Sequence, residues 1–255
     1  MKGLRQHPFR VVGRLLWFGG EVLLALYVFL LRLAFGPKNS RRRERALWLQ
    51  RTSCHVGRIF QLEIKFAGTI PVRGLLVCNH VSYVDILVLA SLAPAVFVAK
   101  REVKFWPVMG LLAQLGGTLF IDRQRRTHVG EVNDEIQSAL DDGVLVIVFP
   151  EGTSSDGKTV LPFKSSLLEP AAQQRHPLAV ARLCYRLENG DSDGEVSYWG
   201  DTVFFPHLLN LLSKPGVRAS VQFVPVNQRG LDRKELAQQL HSEVLKLKNP
   251  ALKPS

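Results

Sequence analysis

Beyond residue 60, short runs of apolar, mostly β-branched side chains alternate with longer stretches of helical periodicity. Val144 to Phe149 is apolar at every position, the pattern of a strand buried on both faces. Similar runs predict strands over 62–68, 74–79, 95–100, 117–122, 144–150, 178–185 and 217–226. Helices are predicted over 82–92 and 130–143; in the second, Val132, Ile136 and Leu140 share a face and Gly143 ends the run. Strands alternating with helices predict an α/β fold for residues 61–255, a mixed, largely parallel sheet flanked by helices. The polar loop 188–195 interrupts this pattern, and the tail 248–255 reads as frayed.

Residues 1–60 follow another pattern. Leu15 to Phe35 is apolar except for Glu21 and Arg32, and Gly36-Pro37 stops it. Its uninterrupted centre, Val22 to Leu31, rises only about 15 Å as a helix against roughly 30 Å of hydrocarbon. A longer span would carry Glu21 toward mid-membrane, at a cost of roughly 3 kcal/mol. The segment therefore reads as a helix lodged in one leaflet, with a full span as the alternative. Residues 39–60 read as a second helix with Ser40 as N-cap. Ala46, Leu49, Ser53, Val56 and Phe60 form its apolar face, and Arg43, Arg51, His55 and Arg58 a basic one. Placed beside an apolar helix, it is expected to lie on an anionic membrane surface rather than pack on the main domain. Together they form an N-terminal membrane-associated helical pair, residues 1–60, which places the protein at a membrane, on the cytoplasmic face of the inner or plasma membrane.

Charge sharpens this division. Of the net charge of +11, residues 1–60 supply +10, from twelve Lys/Arg against Glu21 and Glu44, and the remainder supplies +1. A nearly neutral folded domain argues against nucleic acid as a partner, because phosphate-tracking surfaces need clustered cations on the fold. Cys54, Cys78 and Cys184 lack metal-ligand spacing, so free thiols and no metal are expected.

Ligands of open α/β sheets gather beyond the C-terminal ends of strands, and three polar clusters fall there. They are "NHVSYVD" (79–85), "DRQRR" (122–126) and "PEGTSSDGK" (150–158). Singly each has a plain reading: His80 as a strand-end cap, Arg123 as a solvent-facing partner of Asp122, Glu151-Gly152-Thr153 as a turn. Serine nucleophile chemistry lacks its GxSxG elbow in "GTSSDG".

Taken together, the clusters resemble the boxes of the glycerolipid acyltransferases, the group that includes the 1-acylglycerol-3-phosphate O-acyltransferases. "NHVSYVD" is similar to their N-H-x-x-x-x-D box, "GTLFIDR" (117–123) to their second, "FPEGTSS" (149–155) to their F-P-E-G-T-R box and "PLAVA" (177–181) to a fourth. "VFVAKREVKFWPVMG" (96–110), "FKSSLLEPA" (163–171) and "YWGDTVFFPHLLNLL" (198–212) are similar to connecting segments of such proteins. The resemblance implies transfer of a fatty acyl chain from acyl-CoA or acyl-acyl carrier protein to the hydroxyl of a lysophospholipid, without cofactor or metal. His80 would be the general base and Asp85 its orienting acid, with the chain turning between them so that they meet. Arg123, Glu151, Gly152, Thr153, Lys100, Lys164 and Asn79 would contact substrate. Ser154 stands where many members carry Arg, removing a cation from the acceptor site. The expected acceptor is 1-acyl-sn-glycerol-3-phosphate, giving phosphatidic acid, with a lyso-ornithine lipid as the alternative; a non-catalytic basic membrane or nucleic-acid-binding protein is the reading from a different class.

Overall fold

The computed structural model describes residues 7–35, 41–122, 126–173, 175–227 and 230–247. Ser40, Arg123 and the tail 248–255 lie outside the described residues.

Seven strands form one sheet: β1 (Leu62–Ala67), β2 (Gly74–Cys78), β3 (Ala95–Lys100), β4 (Leu119–Ile121), β5 (Leu145–Val148), β6 (Leu178–Leu187) and β7 (Val217–Val226). Their order is β1-β7-β6-β2-β5-β3-β4. Every pairing is parallel except β6 with β7. The expected mixed, largely parallel sheet is therefore present, with strands close to the predicted runs. β4 is shorter than expected because Gly117 turns the chain at a φ of +87° just before it.

Alternation along the strands sorts two apolar layers. Leu76, Cys78, Phe97, Leu145 and Ile147 face one side, where they meet α1 (Pro8–Phe35), α2 (Arg41–Ile59) and α3 (Val84–Leu92). Leu75, Val77, Val96, Val98, Val146 and Val148 face the other, covered by Val132, Ile136 and Leu140 of the later helix 126–141. In chain order after α3 come α4 (Met109–Leu115), α5 (Arg126–Asp141), α6 (Glu169–Ala172), α7 (Ser192–Glu195), α8 (Phe204–Ser213) and α9 (Arg233–Lys246). α8 joins the first layer and α9 the second. The sequence reading did not assign either. α9 nevertheless announces itself with a capping box, in which Asp232 accepts from the N–H of Lys234 and Glu235 while Glu235 accepts from the N–H of Asp232.

α2 departs from expectation. Its apolar face, with Trp48 at its centre, is buried in the first layer and packs on α3 and β3 instead of meeting lipid. The reason is competition: that face covers one side of the sheet, whose apolar residues would otherwise be open to water. Arg43, Arg51 and Arg58 remain exposed on the opposite side of the helix.

α1 holds the apolar segment expected to meet the membrane. Pro8–Arg32 is long and apolar enough to cross a bilayer, yet α1 is tied to the domain along its length. Arg10 donates to the Ser213 carbonyl (2.8 Å) and Arg14 to that of Leu212 (2.9 Å). Midway, the Trp48 indole donates to the Ala25 carbonyl (2.8 Å), and Arg32 pairs with Glu44 (2.6 Å) near the end. Glu21, the charge that disfavours a span, turns inward to His55 (3.0 Å). The outer face carries Phe9, Leu16, Leu23, Tyr27 and Leu30, a largely heptad-spaced stripe open to the surroundings. L23E/L30E should cut binding to phospholipid vesicles by tenfold or more while the unfolding midpoint in urea stays near wild type; cosedimentation and urea titration measure the two. Undiminished vesicle binding would show that the stripe is not the membrane contact.

Candidate active site

β2 ends at Cys78, and the next residues are placed by backbone pairing. Asn79 exchanges hydrogen bonds with the main chain of Leu183 in β6 (2.7 and 2.9 Å), extending the β2–β6 ladder with a side chain. Asn79 is buried and both ends of its amide are committed, so it shapes the site's floor and does not face a ligand. The loop from His80 to Tyr83 then turns into α3, whose first turn contains Asp85.

Asp85 is fully buried. A carboxylate there needs donors, and four converge on it. Oδ2 accepts from the imidazole of His80 (2.7 Å), the N–H of Val81 (2.7 Å) and the N–H of Ser82 (3.1 Å). Oδ1 accepts from the hydroxyl of Tyr185 on β6 (2.7 Å). Burial, reinforced by Asp85, pushes the Tyr185 hydroxyl well above its ordinary pKa, so it serves as a donor. A carboxylate only accepts, so in the neutral imidazole of His80 the proton sits on Nδ1 and Nε2 carries the lone pair. The imidazole side chain is 23% exposed, and its ring stacks on Phe149 with centroids 4.3 Å apart.

The chain turn after β5 supplies the other half. Gly152 takes a φ of +77°, and its N–H closes the turn onto the Phe149 carbonyl (3.1 Å). This turn carries Glu151 inward: one carboxylate oxygen accepts from the N–H of His80 (2.7 Å), the other from that of Leu161 (2.9 Å). Ser155 N–H donates to the His80 carbonyl (2.9 Å), so the loops after β2 and β5 are laced together on both sides of His80. Glu151 is buried and engaged by main chain at both oxygens. Burial outweighs those two donors and raises its pKa from 4.5 to about 7.

Thr153, Lys100 and Lys164 are exposed. Lys100 ends β3, two strands from β2, and the N–H of Lys164 meets the Pro150 carbonyl (2.8 Å) beside the Glu151 turn. The structure thus brings His80, Asp85, Glu151 and Gly152 into one hydrogen-bonded unit, with Thr153, Lys100 and Lys164 on the same edge of the sheet. Tyr185 and Phe149 complete it, and the sequence reading assigned them no role. Tyr185 carried no local signal, because its partner lies a hundred residues away. Ser154 donates to the carbonyl of Tyr198.

Behind Phe149 the aromatic stack continues to Phe97 (6.4 Å), which lines an apolar cavity of about 100 Å³. Phe18 of α1, Leu49 and Val56 of α2, Tyr83, Leu87 and Trp106 form other walls. The cavity therefore lies between α1 and the His80 loop.

The site thus joins an acid-oriented imidazole to an apolar cavity walled in part by α1. Residues 61–181 match the family described as Acyltransferase. A lyso-ornithine lipid O-acyltransferase of Rhizobium meliloti is 33% identical, over 94% of this chain and 86% of its own. A 1-acyl-sn-glycerol-3-phosphate acyltransferase of Neisseria gonorrhoeae is 34% identical over 61% of each chain. The crystal structure of a 1-acyl-sn-glycerophosphate acyltransferase from Thermotoga maritima has the same fold, with a TM-score of 0.70 at 19% identity over 96% of this chain and 95% of that one. The chain belongs to the acyltransferase family and is an acyl-transferring enzyme.

The raised pKa of Glu151 links the site to stability. The folded state holds this proton more tightly than the unfolded chain, so the contribution is complete below about 4.5 and lost as pH rises through about 7. Wild-type unfolding free energy should therefore fall between pH 5 and pH 8 relative to that of E151Q, by up to roughly 3 kcal/mol. Urea titrations of both proteins at the two pH values measure the difference, and parallel curves would contradict it.

Proposed function

We propose that this enzyme transfers a fatty acyl group from a thioester, acyl-CoA or acyl-acyl carrier protein, to the free hydroxyl of a lysolipid held at the membrane surface. The observation that carries the reading is the 2.7 Å bond from His80 Nδ1–H to the buried Asp85, which leaves Nε2 as the accepting atom in a partly exposed ring.

Nε2 of His80 takes the proton of the lysolipid hydroxyl as that oxygen attacks the thioester carbonyl. Asp85 steadies the imidazolium that forms, and Tyr185 and two main-chain N–H groups keep the carboxylate in place. The tetrahedral intermediate collapses with expulsion of the thiolate, which takes up the proton carried by His80. No serine nucleophile is required, because a thiolate is already a good leaving group. Glu151 and Asn79 act as positioning residues, while Thr153, Lys100 and Lys164 contact substrate. The apolar cavity behind Phe97 accommodates part of an acyl chain. The reaction runs at the membrane surface, on its cytoplasmic face; the exposed apolar stripe of α1 supports the membrane contact.

Of the two acceptors, a lyso-ornithine lipid is favoured. The chain aligns over most of its length with relatives named for that activity, and Ser154 commits its hydroxyl to a main-chain carbonyl without supplying a cation for phosphate. A lysophosphatidate acceptor is the second reading, favoured by the exposed ammonium groups of Lys100 and Lys164 on the same edge.

The test is an acceptor panel on membranes containing the full-length enzyme, with acyl-CoA and acyl-acyl carrier protein as alternative donors. Acylation of lyso-ornithine lipid should exceed that of lysophosphatidate. H80A should lower kcat by about 10²–10⁴, and D85N by a comparable factor, with vesicle binding unchanged. Full turnover by H80A would remove the imidazole from the reaction, and a preference for lysophosphatidate would reverse the choice of acceptor.

A further inference from the structure

His207 and Tyr83 form a buried polar pair that the acid–base chemistry does not use. His207 sits one turn into α8 and Tyr83 in the loop between His80 and Asp85, and their side chains meet at 3.0 Å (Nδ1 to hydroxyl). The other ring nitrogen of His207 lies 3.2 Å from the Ser197 carbonyl. That carbonyl only accepts, so Nε2 carries the proton, and Nδ1 accepts from the Tyr83 hydroxyl. Burial holds the pKa of His207 below its ordinary value, which keeps this neutral tautomer. Tyr83 is also enclosed by rings: Phe204 at 5.1 Å, Tyr198 at 5.5 Å and His207 at 5.5 Å. Next to it, the N–H of Tyr198 donates to the carbonyl of Val81 (2.9 Å). The loop that presents His80 is therefore gripped from outside by α8 and the turn before it.

The far end of α8 is held by the membrane helix. Its last carbonyls lack partners within the helix, and the guanidinium groups of α1 take them. Arg10 donates to Ser213, and Arg14 to Leu212, Lys214 and Pro215. Cations at a helix C-terminus also complement its dipole. An unbroken line of short contacts thus runs from α1 through the ten residues of α8 to Tyr83, three positions from His80. The family match ends at residue 181, so α8 lies outside the shared boxes.

We propose that α8 is a strut between the membrane helix and the catalytic loop, with Tyr83 and His207 as positioning residues that set the His80 imidazole for reaction. The strut rests on His80 being the base, but a separate result tests it. Removing the hydroxyl of Tyr83 frees the loop while keeping the ring that walls the apolar cavity, so the loss falls on kcat and not on KM.

The experiment uses full-length enzyme on phospholipid vesicles, with whichever of the two lysolipids the wild type acylates. Y83F and H207F should each lower kcat by about 10- to 100-fold with KM within about twofold, the scale set by misplacement of a reacting group. H207N keeps an acceptor near the position of Nδ1 and should recover to within about threefold of wild type. R10Q/R14Q should lower kcat at saturating vesicle concentration, and adding Y83F to it should lower kcat little further, because both act on one path. N133A, which loses a hydrogen bond to Ser166 beneath the opposite face of the sheet, is the control for stability loss alone and should keep its kcat. Unchanged kcat in Y83F, no recovery in H207N, or losses that multiply between R10Q/R14Q and Y83F would each overturn the strut. If H80A retained full activity, the catalytic assignment would fail first; if H80A is inactive and Y83F is not, only the strut is lost.

Discussion

The active edge depends on the burial of one carboxylate. Removed from water, Asp85 would be costly by several kcal/mol without donors, and the fold brings four of them from its own loop, from His80 and from β6. Each donor is thereby fixed in return. The imidazole cannot rotate without uncovering the acid, and the loop cannot shift without withdrawing two N–H groups. Glu151 repeats the arrangement one strand away, holding main chain where Asp85 holds a ring. Two buried acids, one in the first turn of α3 and one in the turn after β5, thus fasten two loops around a single imidazole, and the rigidity of that ring is a consequence of electrostatic need.

Much of this was legible in the sequence where the determinants are local. Runs of apolar residues located the seven strands, because strand burial imposes its pattern directly, and β3 and β7 match the predicted runs residue for residue. The five-residue gap between His80 and Asp85 announced a turn that lets them meet. What was not legible depends on distant partners. The apolar face of α2 is compatible with lipid or with a sheet, and only the arrangement of β3 and α3 settles that it packs inside. Asn79 and Glu151 look like ligand-facing polar residues at strand ends, yet Leu183 and Leu161 occupy them. Tyr185 is an ordinary strand residue until β6 is laid beside β2.

The N-terminal helix shows how a charge can decide orientation. Glu21 would penalise a helix surrounded by lipid, and the structure turns it toward His55 and the Trp17 indole. With polar groups facing the domain and an apolar stripe facing away, α1 has the distribution of a helix lying along a membrane plane. Phe18 on its inner side also lines the apolar cavity, so the exposed apolar stripe and the wall of the cavity belong to the same helix.

β6 is much longer than its neighbour. Its pairing with β2 ends at Ala181, whereas its antiparallel pairing with β7 continues to Leu187. The projecting stretch carries Leu183 and Tyr185, the residues that reach back to Asn79 and Asp85, and the family match stops at residue 181, where the projection begins. Paired with β7 along its length, this projecting stretch works as a bracket: the stiffness of the antiparallel β6–β7 ribbon is passed through Leu183 and Tyr185 to the loop that follows β2.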